Sequence, residues 1–218
     1  MEVFPPGVIE PKGPISSVQL GQHVSFHVLL LPYIEQQNIA KNFDITAGTY
    51  APINAAARAI GIELLYCPSA SIGINNAGTA YGTNYAGCHH GVEAPIDADN
   101  NGVLYLNSKT AYDDITDGSA YTIMLGEFLP REDTFGWASG TRATLRNTSG
   151  IEDYEQWNTM NRSPAPAPNI VGGFGSMHPG GAQFCLASGE VRFIGSMISP
   201  KLFSNLGNRS DGTMIGKF

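Results

Sequence analysis

The chain has 218 residues, a formal net charge of −7 and only 14% charged residues. This length fits a single domain. The negative charge argues against nucleic acid as a partner, because phosphate binding needs a basic surface. A hydrophobic content of 42% is sufficient for an ordinary core. No apolar run reaches the roughly 18 residues of a membrane-spanning helix, and the 26 glycines and 14 prolines predict many turns and long ordered loops.

The N-terminal part of the chain predicts two short helices. Residues 1–22 are rich in Pro and Gly and should be extended. Pro32 is suited to the first turn of a helix, and the apolar residues within 33–42 have helical spacing. Residues 52–60 predict a second short helix, which Gly61 ends.

The middle of the chain predicts strands separated by long loops. Apolar residues indicate a buried strand over 62–66 and further strands over 103–106 and 122–128. Residues 68–101 are rich in Gly, Asn, Ser and Ala and predict a long loop. A loop insertion is expected over 130–170, where a Pro-Ala-Pro-Ala-Pro stretch favours extended backbone.

The C-terminal part predicts a β-hairpin followed by a helix. Residues 183–186 and 190–193 are strand-like, and Ser188-Gly189 supplies the tight turn between them. Ser199 is suited to cap a short helix that has Pro200 in its first turn. Because helices gather early and strands gather late, the whole chain predicts one α+β domain with an antiparallel sheet.

Several blocks of residues, spread over nearly the whole chain, resemble one bacterial family. The C-terminal block is a His-Pro-Gly-Gly sequence followed by apolar residues, a tight turn and a Val-Arg-Phe strand. The other blocks are Phe4-Pro5-Pro6-Gly7, residues 25–37, Tyr66-Cys67-Pro68-Ser69, Thr83-Asn84-Tyr85-Ala86-Gly87, residues 101–105, residues 115–119, Met124-Leu125-Gly126-Glu127 and residues 137–148. Their order and spacing resemble the prepilin-like family catalogued as domain of unknown function 1559 (DUF1559), whose members look like type IV pilin and type II secretion pseudopilin subunits.

The resemblance implies a non-enzymatic structural subunit with a pilin-like head. In the resembled family a charged leader and a long hydrophobic helix precede the Phe-Pro-Pro-Gly block. We therefore expect this chain to be a head that lacks the helix, and a membrane contact only through that helix. The implied partners are copies of itself or other pilin-like subunits, and the implied location is the cell envelope or cell surface after export. The C-terminal motif of the resemblance comprises His178, Gly180, Gly181, Gly189 and Arg192.

An alternative hypothesis is an extracellular module that binds a polysaccharide or another ligand. Five aromatic residues lie in or near the long loops: Tyr81, Tyr85, Trp137, Tyr154 and Trp157. Exposed aromatic faces would stack on sugar rings, whereas buried ones would hold the loops together. The exposure of these side chains therefore distinguishes a binding module from a scaffold.

The sharpest local motif resembles the beginning of a calcium-binding loop. Asp97, Asp99 and Asn101 place oxygen ligands at alternate positions, and Gly102 follows at the sixth position. These residues predict a calcium site, although Ser108 stands where a loop of the EF-hand type has Glu. The alternative is a polar turn that enters the next strand.

Three histidines are candidate metal ligands or general bases. His89 and His90 are adjacent, so in a strand they point to opposite faces and rarely share one metal. The Pro-Gly-Gly that follows His178 favours a structural role, in which the ring bonds nearby backbone and holds the turn. A hydrolase is a further hypothesis, and it requires His178 in a cleft within reach of an Asp or Glu.

The three cysteines, Cys67, Cys88 and Cys185, leave two interpretations open. An odd number excludes a complete set of intramolecular pairs, but Cys67 and Cys88 could be bridged if the domain is exported. The other interpretation is that all three are small buried apolar residues.

Two arginines also leave alternatives open. Arg142 and Arg146 could bind an anion, could pair with Glu127 or Asp133 within one subunit, or could form ion pairs between subunits.

Overall fold

A computed structural model describes residues 3–70, 75–76, 80–131, 135–161, 163–213 and 216. Within these residues the α-helices are α1 (Phe26–Leu30), α2 (Gln37–Lys41), α3 (Ala55–Arg58), α4 (Tyr154–Asn161) and α5 (Pro200–Leu206). The strands are β1 (Val8–Ile9), β2 (Val24–Ser25), β3 (Asn75–Asn76), β4 (Ala80–Tyr81), β5 (Tyr85–His90), β6 (Ile123–Glu127), β7 (Leu145–Asn147), β8 (Ile151–Glu152), β9 (Phe174–Gly175), β10 (Gly181–Leu186) and β11 (Val191–Gly195). Among the described helices, none combines the length and the apolar character that crossing a bilayer demands.

The largest sheet has five strands in the order β11–β10–β6–β5–β7. Its first three pairings are antiparallel, with Gln183 opposite Phe193 and Phe184 opposite Gly126. β7 pairs with β5 in parallel, because the long connection between these strands returns the chain in the same direction. The predicted α+β class is confirmed, and the sheet departs from an all-antiparallel arrangement at this one edge.

The C-terminal hairpin and helix were predicted correctly. β10 and β11 are joined by a tight turn in which Gly189 has a φ of +86°. Such a φ favours glycine, because other side chains strain this backbone conformation. The hydroxyl of Ser199 accepts a hydrogen bond from the backbone N–H of Leu202 at 3.2 Å, which caps α5 as expected.

Two strand predictions were wrong. Residues 62–66 contain a 3₁₀ helix, Glu63–Leu65, although Leu65 is buried as expected for this apolar segment. The 103–106 segment is not a regular strand, although the backbone N–H of Leu104 donates to the carbonyl of Cys88 in β5. Burial is common to helices, strands and irregular segments, so a short apolar run does not by itself determine the backbone.

Both predicted loop regions contain regular structure. The 68–101 region includes β5, an interior strand of the main sheet. The 130–170 region includes β7, β8 and α4 within its described part. The sequence of β5 is rich in small and polar residues, and its strand is stabilised by pairing with β6 and β7, which are distant in sequence. Such long-range pairing has no local sequence pattern.

The sheet is covered on one face by α5 and a cluster of aromatic residues. Phe184 of β10 contacts Phe174 and Phe203 edge to face, with ring centroids 5.2 and 5.6 Å apart. Burying each such ring stabilises the fold by about 1.5–3 kcal/mol. Side chains alternate along a strand, so Glu127 and Leu125 of β6 point to the opposite face. The candidate site described next is on that opposite face.

Candidate functional site

Three side chains from distant parts of the sequence meet at the end of β6. Glu127 is the last residue of this strand, Cys67 follows the 3₁₀ helix near residue 65, and His178 lies in the loop between β9 and β10. The Nε2 atom of His178 is 3.2 Å from Oε1 of Glu127 and 3.7 Å from Sγ of Cys67. The three ligand atoms lie within 4.8 Å of one another. Within the described part of the chain, no other set of three or more His, Cys, Asp or Glu residues is gathered so closely.

The backbone around the first two residues fixes their positions. The side-chain oxygen of Asn84 accepts a hydrogen bond from the backbone N–H of Cys67 at 3.1 Å. The backbone N–H of Gln183 donates to Oε2 of Glu127 at 2.7 Å. This bond orients the carboxylate so that its other oxygen, Oε1, is directed at His178.

The turn that carries His178 is also held by local hydrogen bonds. The hydroxyl of Ser176 accepts from the backbone N–H of His178 at 2.9 Å and donates to the carbonyl of Gly181 at 2.6 Å. Gly180 has a φ of +80°, and a Cβ on Gly181 would collide with the carbonyl of Ile194. The glycines therefore shape the turn, while the imidazole ring contacts Glu127 and Cys67 instead of the nearby backbone that we expected it to bond.

The remaining residue of the predicted C-terminal motif lies apart from this cluster. Arg192 is on β11 and forms a two-pronged ion pair with Glu190, at 2.7 and 3.0 Å. Glu190 is exposed, so the pair contributes little stability.

The cluster is buried but has one side open to solvent. The side chain of Glu127 is 4% exposed and that of His178 is 29% exposed. Cys67 is buried beside Leu129 and Trp157. This burial, together with the neighbouring Glu127 carboxylate, raises the pKa of the Cys67 thiol. The thiol is therefore protonated at neutral pH unless a cation binds next to it.

The side chains of the predicted calcium loop are arranged differently. Asp97 accepts a hydrogen bond from the backbone N–H of Ala98 at 2.7 Å, and Asn101 accepts from the backbone N–H of Gly91 at 2.9 Å. Asp99 is exposed. Two of the three proposed ligands thus have an oxygen bonded to the protein's own backbone, and calcium binding here stays a prediction.

The interior of this loop is organised by Asn100 and His89. The side-chain oxygen of Asn100 accepts from the backbone N–H of Asp97 and lies 2.8 Å from Nδ1 of His89. Since this oxygen is an acceptor, Nδ1 of His89 is the protonated ring nitrogen. Burial lowers the pKa of His89 to about 4. His90 forms a separate contact, in which its Nδ1 accepts from the backbone N–H of Val92 at 3.1 Å.

The loop aromatics are mostly buried. Trp137 and Trp157 are both buried, and each indole N–H donates to a backbone carbonyl at 3.0 and 3.1 Å respectively. Tyr81 and Tyr85 are half-buried. Tyr154 is exposed, but its ring stacks on that of Trp157, with centroids 5.9 Å apart. By the criterion set from the sequence, this arrangement favours a scaffold over a sugar-binding face.

The structure shows the state of the cysteines and the contacts that the two arginines make within one chain. Cys67, Cys88 and Cys185 are free thiols, so the Cys67–Cys88 bridge is not formed. Arg142 donates to backbone carbonyls of residues 166, 167 and 170. Arg146 donates to the carbonyl of residue 171 at 2.7 Å, so both arginines hold the 166–171 segment. Glu127 is engaged by His178, and Asp133, the other acidic partner considered, lies outside the described residues.

Sequence reasoning missed that Cys67 and Glu127 are partners of His178. A signal was present, because each of the three lies in a block that carries the family resemblance: Tyr66-Cys67-Pro68-Ser69, Met124-Leu125-Gly126-Glu127 and His178-Pro179-Gly180-Gly181. The blocks are separated by more than fifty residues each, so their meeting is a property of the fold.

Comparison with known proteins agrees with the resemblance at the level of the family. No curated protein and no solved structure matches the chain. The model of the family described as "Protein of unknown function (DUF1559)" matches residues 1–201, which is nearly the whole chain. The chain therefore belongs to the DUF1559 family, whose function is not known.

Proposed function

We propose that this chain is a non-enzymatic structural subunit, namely the head of a pilin-like or pseudopilin-like protein. Its place would be the cell envelope or cell surface after export, and its partners would be copies of itself or other pilin-like subunits. Family membership over residues 1–201 supports the general assignment. The finer assignment follows the resemblance of the sequence blocks to prepilin-like proteins.

The observation that carries this proposal is an apolar surface on strand β11, at the edge of the main sheet. Val191 and Phe193 are 63% and 49% exposed, and Met197, just beyond the strand, is 95% exposed. Ile194 on the opposite face of the strand is buried, so β11 has apolar residues on both faces. Exposed edge strands and apolar surfaces of this kind are sites of protein association. A neighbouring subunit or a packed helix would cover it.

The burial of the loop aromatics also supports a structural role over polysaccharide binding. Trp137 and Trp157 fill the interior, and the exposed Tyr154 is stacked on Trp157. Sugar binding would require a set of exposed coplanar rings. The long loops are therefore better suited to maintaining a rigid head than to capturing a sugar.

Assembly in cells that naturally produce this protein tests the proposal. Antibodies raised against this domain should detect the wild-type protein in the material sheared from the cell surface. Phe193→Ser and Met197→Ser should reduce this assembled fraction at least about tenfold, while the melting temperature of the purified domain stays unchanged. Tyr33→Ser, which removes a still more exposed aromatic ring from another element, is the control.

The location of the wild-type protein and the assembly of the two variants test separate parts of the proposal. Recovery of the wild-type protein solely from the cytoplasm would contradict the structural-subunit assignment. Normal assembly of both Phe193→Ser and Met197→Ser would show that this surface is not the contact between subunits.

A further inference from the structure

We propose that Cys67, Glu127 and His178 form a binding site for a divalent transition-metal ion, with Zn²⁺ as the best chemical match. This inference is independent of the assembly role, since it concerns the buried end of β6 and not the surface of β11. The thiol, carboxyl and imidazole groups are the three ligand types that proteins use for zinc.

Two of the three distances between the ligand atoms are close to those of a tetrahedral zinc site. Zinc–sulfur bonds of about 2.3 Å and zinc–nitrogen or zinc–oxygen bonds near 2.0 Å place sulfur about 3.5 Å from nitrogen, and nitrogen about 3.3 Å from oxygen. The corresponding separations here are 3.7 Å from Cys67 to His178 and 3.2 Å from His178 to Glu127. The sulfur of Cys67 and the carboxylate oxygen of Glu127 lie within 4.8 Å of each other, so adjustment of these side chains would bring the three groups around one ion.

The orientation of the imidazole ring favours a metal site over a nucleophilic triad. In a Cys-His-Glu triad, one ring nitrogen faces the thiol and the opposite nitrogen faces the carboxylate. In this protein the same atom, Nε2 of His178, faces both Cys67 and Glu127. The thiol and the carboxylate thus lie at the same ring nitrogen, as expected for three ligands of one cation and not for a proton relay through the ring.

The charges of the ligands also match a divalent ion. Binding deprotonates the Cys67 thiol, whose proton passes to solvent, and the resulting thiolate forms the metal–sulfur bond. The thiolate and the Glu127 carboxylate then balance the two positive charges of the metal. A soft thiolate selects zinc or another late transition metal over calcium and magnesium, which prefer oxygen ligands.

The surroundings provide the support and the access that a metal site needs. The backbone N–H of Gln183 orients the Glu127 carboxylate from behind, at 2.7 Å. Such outer hydrogen bonds fix the ligands of metal sites and raise their affinity. The exposed side of His178 gives a route from solvent, and three protein ligands leave a fourth position for water.

Titration of the metal-free protein with Co²⁺ tests the site directly. Co²⁺ bound by a thiolate gives a ligand-to-metal charge-transfer band in the near ultraviolet, and added Zn²⁺ should displace it. We expect one equivalent per chain. Cys67→Ser should abolish the band, and His178→Gln should weaken Co²⁺ binding by about 100-fold or more, beyond the 10- to 100-fold typical of losing an outer partner. Cys185→Ser and His90→Gln are matched controls, because both residues are half-buried and lie outside the cluster.

Three outcomes of the Co²⁺ titration would contradict the proposed site. Absence of the charge-transfer band, its retention in Cys67→Ser, or its loss in Cys185→Ser would each overturn the site. If Cys67→Ser fails to fold, His178→Gln and the wild-type protein remain sufficient. Calorimetric titration of the wild type with Zn²⁺ in two buffers of different ionisation enthalpy should show about one proton released per ion, as thiol deprotonation requires. Release of no proton would contradict ligation by Cys67.

Discussion

The 97–102 loop and the cluster of Cys67, Glu127 and His178 both gather polar side chains, but the loop draws them from neighbouring positions and the cluster draws them from distant parts of the sequence. In the loop, Asp97 and Asn101 accept hydrogen bonds from nearby or adjoining backbone N–H groups. In the cluster, the side chains contact one another across more than fifty residues of sequence.

This difference indicates which kind of polar group in such a chain is a candidate ligand site. Oxygen-bearing residues that are close in sequence often satisfy the turn in which they lie. In the cluster the fold instead brings three different ligand groups, a thiol, a carboxylate and an imidazole, within reach of one another. The cluster is therefore the stronger candidate for a ligand-binding site, although the loop has the more conspicuous sequence motif.

Gly102→Ala gives the largest expected effect and tests the structural interpretation of the loop. A Cβ at this position would collide with the backbone of Cys88 and His89 in β5. Overpacking against backbone typically costs about 1–3 kcal/mol and occasionally more. We expect about 3 kcal/mol here because all three of the nearest atoms belong to the backbone and not to a flexible side chain. Urea unfolding of wild type and variant measures the difference in the free energy of unfolding.

Gly150→Ala is the control for this substitution. A Cβ at residue 150 has no atom within 4 Å, so the free energy of unfolding should change by less than about 0.5 kcal/mol. Equal stability of Gly102→Ala and the wild type would mean that the loop is not packed against β5. The loop would then not be the packed polar turn that we contrast with the cluster.

Acid destabilisation by His89 is the second expected effect. Burial lowers the pKa of His89 to about 4, whereas an unfolded histidine has a pKa near 6.5. Between these values the unfolded chain binds more protons, so the free energy of unfolding decreases as the pH falls from 6.5 to 4. The decrease amounts to about 3 kcal/mol for this residue, and below pH 4 it grows no further.

Urea unfolding at pH 7 and pH 4.5 checks this effect. His89→Gln should lose less stability between these two pH values than the wild type, because glutamine does not titrate. Carboxylates titrate in both proteins, so the difference between the proteins isolates His89. Tyr33→Ser changes an exposed residue outside this loop, and this variant should lose as much stability as the wild type. Identical losses in wild type and His89→Gln would rule out a buried neutral His89.

The sequence predicted those parts of the fold that depend on local chemistry. The β10–β11 hairpin follows from alternating residues around a glycine with positive φ, and α5 follows from Ser199 and Pro200 at its beginning. The interior strand β5 was missed, because its small residues have no strand pattern and its partners are distant in sequence.

The same limit applies to the candidate site. His178 was recognised from its Pro-Gly-Gly neighbours, yet its role depends on Glu127 and Cys67, which reach it through β6 and the segment after the 3₁₀ helix. No spacing in the sequence encodes that contact. The family blocks marked all three residues, and the fold was needed to show that they belong together.

Asp99→Ala has the smallest expected effect, and it tests directly whether the loop binds calcium. Asp99 is exposed, so its removal should change the free energy of unfolding by less than about 0.5 kcal/mol. We expect calcium at millimolar concentration to leave the melting temperature of the wild type and of this variant equally unchanged, because Asp99 is exposed and Ser108 stands where a loop of the EF-hand type has Glu. If calcium raised the melting temperature of the wild type but not of Asp99→Ala, the loop would be a metal site as the sequence motif predicted. The two polar groups would then differ in the metal they select, because the oxygen ligands of the loop suit calcium and the thiolate of Cys67 suits zinc.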